Sequence, residues 1–294
     1  MSIKRKQSDV RLVQTLRQER SNEDHAVKAV ILAGGKGARL KPYTAVLPKP
    51  LMPLGDRAIL EVVIRQLARQ GFLDITLSVG HLAHVIEAVF GDGSDHDVEL
   101  TYVREDAPLG TAGSLRLIDG LDDTFLMLNG DLVTTFDFRE IVAAHRASGN
   151  LLTIATTERG VDIDYGILGV EPRTGSTSRV VRFTEKPQLD IVVSMGIYVL
   201  EPAALNFVPG DGYFDFPDLV RNLLRADAPV GAFEYDGLWL DIGRQEDYDQ
   251  AITLLEEGKL AALEGEFDRM AAPAPTRRDD DLRFQRQASN LGPG

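Results

Sequence analysis

Two short segments near the start of the chain carry residues suited to phosphate chemistry. Ala33-Gly34-Gly35-Lys36-Gly37-Ala38-Arg39-Leu40 follows an apolar run from Val27 to Ala33. Such a loop lets successive backbone N–H groups point into one concavity and hold phosphate oxygens. It is no Walker A loop, since no Gly-Lys-Ser/Thr follows at the required spacing, and Gly35-x-Gly37-x-x-Leu40 lacks the third glycine of a dinucleotide fingerprint. Taken alone, the run also suits a strand-to-helix turn that binds nothing. A little further on, Pro48-Lys49-Pro50-Leu51 fixes the backbone on both sides of one lysine. Isolated, Lys49 reads equally as a solvated turn residue; with Arg39 upstream it makes a pair of cations able to flank a triphosphate.

Together, Gly-Gly-x-Gly-x-Arg-Leu and Pro-Lys-Pro-Leu resemble the signature of the sugar-phosphate nucleotidyltransferases, the NDP-sugar pyrophosphorylases. Further segments match in that family's order and extend the resemblance over residues 27–255. The nearest likeness in motif is to mannose-1-phosphate guanylyltransferase-like members without a β-helix domain. Pro108-Leu109-Gly110-Thr111-Ala112-Gly113 resembles the base-binding loop, while Leu128-Asn129-Gly130-Asp131 and Gly237-Leu238-Trp239-Leu240-Asp241-Ile242-Gly243 resemble the segments whose aspartates hold Mg2+. Two monodentate carboxylates with substrate phosphates and water suit that hard ion, although either aspartate alone also reads as a turn former or helix N-cap. Asp164-Tyr165-Gly166, Thr184-Glu185-Lys186-Pro187 and Ser194-Met195-Gly196 resemble the sugar-phosphate site. Glu185 and Lys186 by themselves would be an ordinary surface ion pair.

The resemblance thus implies an activity that transfers a nucleotidyl group from an NTP to a sugar 1-phosphate, with Arg39, Lys49 and Asp131 as catalytic groups and Mg2+ on Asp131 and Asp241. It places Leu32, Ala33, Gly34, Gly35, Gly37, Glu105, Gly110 and Thr111 at the nucleotide, and Tyr165, Gly166, Glu185, Lys186 and Ser194 at the sugar phosphate. Glu105 favours GTP, because one carboxylate can accept from two adjacent donors of guanine. CTP, UTP or dTTP are the alternatives, with mannose 1-phosphate or a related hexose or heptose phosphate as acceptor. Transfer needs no general base, since the attacking phosphate oxygen is already an anion, and no nucleophilic triad or metal-spaced histidine set is visible. A glycosyltransferase would be expected to show Asp-x-Asp, and a silent sugar-nucleotide-binding relative would be expected to have lost some of these groups.

The elements that must position these residues follow from periodicity. Apolar strands alternate with helical stretches: strands at 75–79, 100–103, 124–128 and 151–156, helices at 58–70, 83–90 and 139–148. That alternation predicts an α/β fold, and the resemblance makes it a three-layer Rossmann-like one with a mixed, mostly parallel sheet. Beyond residue 160 come strands at 167–170, 179–183, 194–199 and 231–234 and one helix at 217–225, read as a second lobe folded over the same sheet. Residues 1–25, with a weak apolar stripe of Val10, Leu12, Val13 and Leu16, read as a helical extension. The catalytic domain spans 26–257 and a Pro-rich, charged tail spans 258–294.

Composition narrows the field further. With 294 residues, 44% of them hydrophobic, the chain can bury a sizeable core. A formal net charge of −13 argues against nucleic acid as a partner, so phosphate must be met by a local cluster of donors. No cysteine is present, which fits a reducing cytoplasm, and no apolar run approaches the roughly 20 residues that span a bilayer. Association with further copies of the chain stays open.

Overall fold

The computed structural model describes residues 27–35, 37, 44, 47–105, 107–172 and 175–260. The predicted N-terminal helix, Arg39 and the predicted tail beyond Leu260 lie outside the described residues. The chain begins with β1 (Lys28–Leu32), the short pair β2 (Pro53–Leu54) and β3 (Arg57–Ala58), α1 (Ile59–Arg69), β4 (Asp74–Val79), α2 (Ala83–Phe90) and β5 (Glu99–Arg104). It continues with β6 (Phe125–Asn129), β7 (Leu132–Thr134), α3 (Phe138–Ser148), β8 (Leu152–Asp162), β9 (Ile167–Val170), β10 (Val180–Thr184) and β11 (Gln188–Leu200). α4 (Phe216–Arg225), β12 (Val230–Glu234), β13 (Trp239–Asp241) and α5 (Gln245–Glu256) complete it.

Seven strands form one sheet in the order β12-β8-β11-β6-β1-β4-β5. Only β11 runs antiparallel to its neighbours; the other pairings are parallel. Both faces are covered, which is why the central strands read as continuous apolar runs rather than alternating ones. Ala29 and Ile31 of β1 and Leu126 and Leu128 of β6 pack under α1, α2 and α3. Val30, Phe125 and Met127 face the other way, toward α4 and a 3-10 turn at Gly113–Leu117. In α1, Leu60, Val63, Ile64 and Leu67 recur at helical spacing and are buried in that first cluster, each such side chain contributing about 1.5–3 kcal/mol. Asp137 caps α3 by accepting from Arg139 N at 2.9 Å, and Gly149 at φ +69° ends it. Among the described residues no helix is long and apolar enough to cross a membrane.

The segment beyond residue 160 differs from its prediction. β11 inserts between β8 and β6, and β12 closes one edge, so these strands belong to the central sheet instead of lying over it. The outer parts of β8 and β11 run on beyond that sheet as a two-stranded ribbon, from Thr156↔Ser194 to Asp162↔Gln188, which leads into the separate β9–β10 hairpin. The apolar runs at 151–156 and 194–199 mark only the inner parts of these strands, where Leu152, Ala155, Ile197 and Val199 are buried. Their outer parts are exposed and carry no such pattern.

Candidate functional site

In this sheet the chain runs from β1 out to β4 and β5 on one side and then crosses back to β6 on the other, and the carboxyl ends of β1, β4 and β6 at that reversal form a crevice suited to a ligand. The glycine loop starts there. Ala33 N donates to Ser78 O at 2.8 Å and Gly130 N to Leu32 O at 3.0 Å, which ties the ends of β4 and β6 to the end of β1. A Cβ on Gly130 would stand 3.1 Å from Leu32 O, so this junction is built for glycine. Among the described residues Gly35 has no neighbour within 4 Å of where a Cβ would be. Gly37, at φ +58°, lies against Thr44 and Lys49, with 2.8 Å and 3.1 Å from its missing Cβ to their side chains. Thr44 Oγ1 donates to Gly37 O at 2.7 Å. The two phosphate-suited segments of the sequence are therefore in contact.

Lys49 starts a single 3-10 turn, Lys49–Leu51, between the two prolines. Its ammonium donates to Asp131 Oδ2 and lies 4.0 Å from Asp241 Oδ1, with only 11% of its side chain exposed. The aspartates, 110 positions apart, meet because β7 and β13 pair antiparallel with Asp241 opposite Leu132, and Ile242 N donates to Asp131 O at 3.0 Å. Asp131 Oδ1 is buried and has no hydrogen-bond partner among the described residues. A carboxylate oxygen left bare costs free energy unless a cation or donor completes it. That bare oxygen, beside a second carboxylate, fits a divalent ion that takes its remaining ligands from phosphate and water. Asp241 also satisfies part of the turn-former reading, since its Oδ1 accepts from Gly243 N at 2.9 Å.

Glu105 sits just past β5, close to the glycine loop, with Oε1 3.4 Å from where a Cβ of Gly34 would be. It is no free strand-end residue. Ser78 Oγ donates to one carboxylate oxygen at 3.3 Å and Leu109 N to the other at 2.8 Å, so Glu105 shapes the loop predicted to bind the base. Gly110 has φ +80°, and a Cβ there would lie 2.6 Å from Phe214 O. Gly110→Ala is expected to lose at least about 1–2 kcal/mol of stability from the left-handed backbone alone, read as a lowered melting midpoint. An unchanged midpoint would show that the loop shifts freely.

The structure gives Thr111 a scaffold role that the sequence reading did not foresee. Its hydroxyl accepts from Phe216 N at 2.9 Å, closing the first turn of α4, and donates to Asp215 Oδ1 at 3.2 Å. Burial would raise the Asp215 carboxyl, but Tyr213 O–H and the Thr111 N–H and O–H hold it below its usual range. Asp215 and Phe214 thus frame the loop from a segment that sequence reasoning passed over. The one signal there was the helix start before Pro217.

On the predicted sugar side, Gly166 lies against Phe183 and Glu185, 2.6 Å and 3.1 Å from where its Cβ would be. Tyr165 is 79% exposed, and Glu185 and Lys186 are exposed as well. Ser194 Oγ donates to Tyr198 Oη at 3.1 Å. Gly196, at φ +75°, comes within 2.5 Å of Asn129 Nδ2 at its missing Cβ, joining a bulge in β11 to the end of β6 two residues before Asp131. Asn129, quoted above only as part of a motif, is therefore a contact between the two halves of the site.

A glycine loop beside the central strand of a doubly wound sheet, with a shielded lysine between two carboxylates, defines an α/β protein whose crevice is suited to a phosphate-bearing ligand. The sequence matches the nucleotidyl transferase family over residues 28–258, and the chain belongs to that family. It is 34% identical over 246 residues to the UTP-glucose-1-phosphate uridylyltransferase of Synechocystis sp., covering 77% of this chain and 62% of that protein. It is 33% identical over 234 residues to the mannose-1-phosphate guanyltransferase of Aspergillus oryzae, covering 76% and 62%. The chain thus spans a little under two thirds of the length of these curated relatives. Among solved structures, HddC from Yersinia pseudotuberculosis complexed with GMP-PN aligns with a TM-score of 0.59 at 25% identity, covering 78% of this chain and 99% of that one.

Proposed function

We propose that the chain joins the nucleotidyl part of a nucleoside triphosphate to a sugar 1-phosphate, giving an NDP-sugar and pyrophosphate. The observation that carries this reading is the Lys49 ammonium between Asp131 and Asp241, with one oxygen of Asp131 bare. Asp131 and Asp241 would hold Mg2+, which when bound neutralises charge on the reacting phosphates. Lys49, with Arg39 from the glycine loop, balances the triphosphate, and loop N–H groups around Gly34 and Gly35 cradle its oxygens. On the acceptor side, Lys186 meets the phosphate and Glu185 accepts from ring hydroxyls, while Gly166 and Ser194 let the ring approach. An oxygen of the sugar phosphate bonds to the α-phosphorus as that phosphorus parts from pyrophosphate, which leaves with the bonding pair. No proton has to move, so the rate rests on alignment and charge.

Glu105 favours GTP as donor, and the guanyltransferase likeness favours mannose 1-phosphate or a related hexose or heptose phosphate as acceptor. A guanyltransferase among the relatives and a structural neighbour complexed with GMP-PN support that choice. The uridylyltransferase relative makes UTP the rival. A matrix of NTPs against sugar 1-phosphates with Mg2+, read by pyrophosphate release, is expected to show one pair well above the rest. Release independent of any sugar phosphate, or none with any pair, would refute the reading.

A further inference from the structure

A part-buried ion pair lies outside the residues used so far and bears on the metal-side strand. Arg159, on the outer part of β8, donates from Nη2 to Asp247 Oδ1 at 2.8 Å. Asp247 is in the first turn of α5, its side chain only 7% exposed, and its Oδ2 is buried without a partner among the described residues. The same guanidinium lies over the indole of Trp239, with Cζ 5.0 Å from the ring centroid. On its own edge, that indole donates from Nε1 to Met195 O at 2.9 Å, beside the β11 bulge. Trp239 and Asp241 are two residues apart on the three-residue strand β13. Among the described residues this short strand pairs with β7 alone, and the contacts of Trp239 with Arg159 and Met195 O tie it to β8 and β11 as well.

We propose that Arg159 and Asp247 form a clamp on Trp239 that aims Asp241 at the metal position. Arg159 is a positioning residue here. A planar cation stacks on an indole, which an ammonium cannot do with the same geometry. Asp247 fixes that plane from one side while the Met195 carbonyl fixes the ring's N–H edge from the other. Partners that orient a metal ligand from behind typically change metal affinity about 10–100-fold when removed. The proposal rests on Asp241 being a metal ligand, and the test separates the two ideas.

Trp239 is the only tryptophan of the chain, so its fluorescence reports this spot alone. The full chain would be titrated with Mn2+, whose unpaired electrons quench a nearby indole. Arg159→Gln strands the buried Asp247 charge and risks the fold, so the decisive variant is Arg159→Gln with Asp247→Asn, which removes both charges together. Its Mn2+ half-saturation is expected to rise about tenfold or more, with Arg159→Lys in between. In assays its KM for Mg2+ should rise while kcat at saturating metal stays near the parental value. A parental half-saturation in the folded double variant overturns the clamp. Asp241→Ala quenched as strongly and at the same Mn2+ concentration as the parent would instead remove Asp241 from the metal site.

Discussion

Replacing Asp131 by alanine is expected to lower turnover by at least about a hundredfold and leave a folded protein, because electrostatic groups at charged transition states carry losses of that size. The geometry explains both halves of the statement. Asp131 offers a buried oxygen with no partner among the described residues, which an added cation or donor would satisfy. Its other oxygen holds Lys49, yet that lysine keeps a second carboxylate, Asp241, 4.0 Å away. Removing Asp131 therefore does not strand a buried cation, the event that makes broken ion pairs so destabilising. Asp241→Ala should behave alike in turnover. It should also lose a little stability, since Asp241 Oδ1 accepts from Gly243 N at 2.9 Å and that bond contributes about 1 kcal/mol. Pyrophosphate release at saturating substrates and Mg2+, alongside a thermal melt, checks both variants. Near-parental turnover in either would take that aspartate out of the reacting centre.

Much of this arrangement could be read from the chain because the elements behind it are buried on both faces or have strong ends. β1 and β6 are continuous apolar runs, and the helix predicted at 83–90 is found at Ala83–Phe90. Gly37 was marked in the sequence only as part of the glycine loop, and the structure adds its left-handed φ and its approach to Thr44 and Lys49. What stayed hidden depends on partners far away in sequence. Asp215 reaches Thr111 across 104 positions, and Arg159 reaches Asp247 across 88, distances over which periodicity carries no information. The ribbon of β8 and β11 was hidden for another reason. Its exposed outer halves lack an apolar alternation, so the sequence marks only the portion that enters the core. The N-terminal stripe and Arg39 were equally legible as patterns, but they lie outside the described residues.

The choice of nucleotide gives the other large effect. Glu105 is held at the end of β5, with Ser78 Oγ donating to Oε1 and Leu109 N to Oε2. A carboxylate has about four acceptor positions, so each oxygen keeps one for a ligand. Guanine presents N1–H and its amino group side by side, two donors that one carboxylate can accept together. Uracil and thymine present a single donor between two carbonyls, which an anion repels. A bidentate base contact is worth about 1–3 kcal/mol, some five- to over a hundredfold in discrimination. Glu105→Gln is a clean probe because the amide can preserve the loop: its oxygen still accepts from Leu109 N, and its NH2 can donate to Ser78 Oγ, which exchanges its own role. Charge is lost and a donor gained where the base edge would lie. GTP should then lose ground to UTP or dTTP by about tenfold or more in kcat/KM, within the range that such contacts carry. Melting should stay near the parental midpoint. A parental enzyme that prefers UTP or dTTP, or a variant with an unchanged ranking, would leave Glu105 as a residue that only shapes the loop between β5 and Gly110.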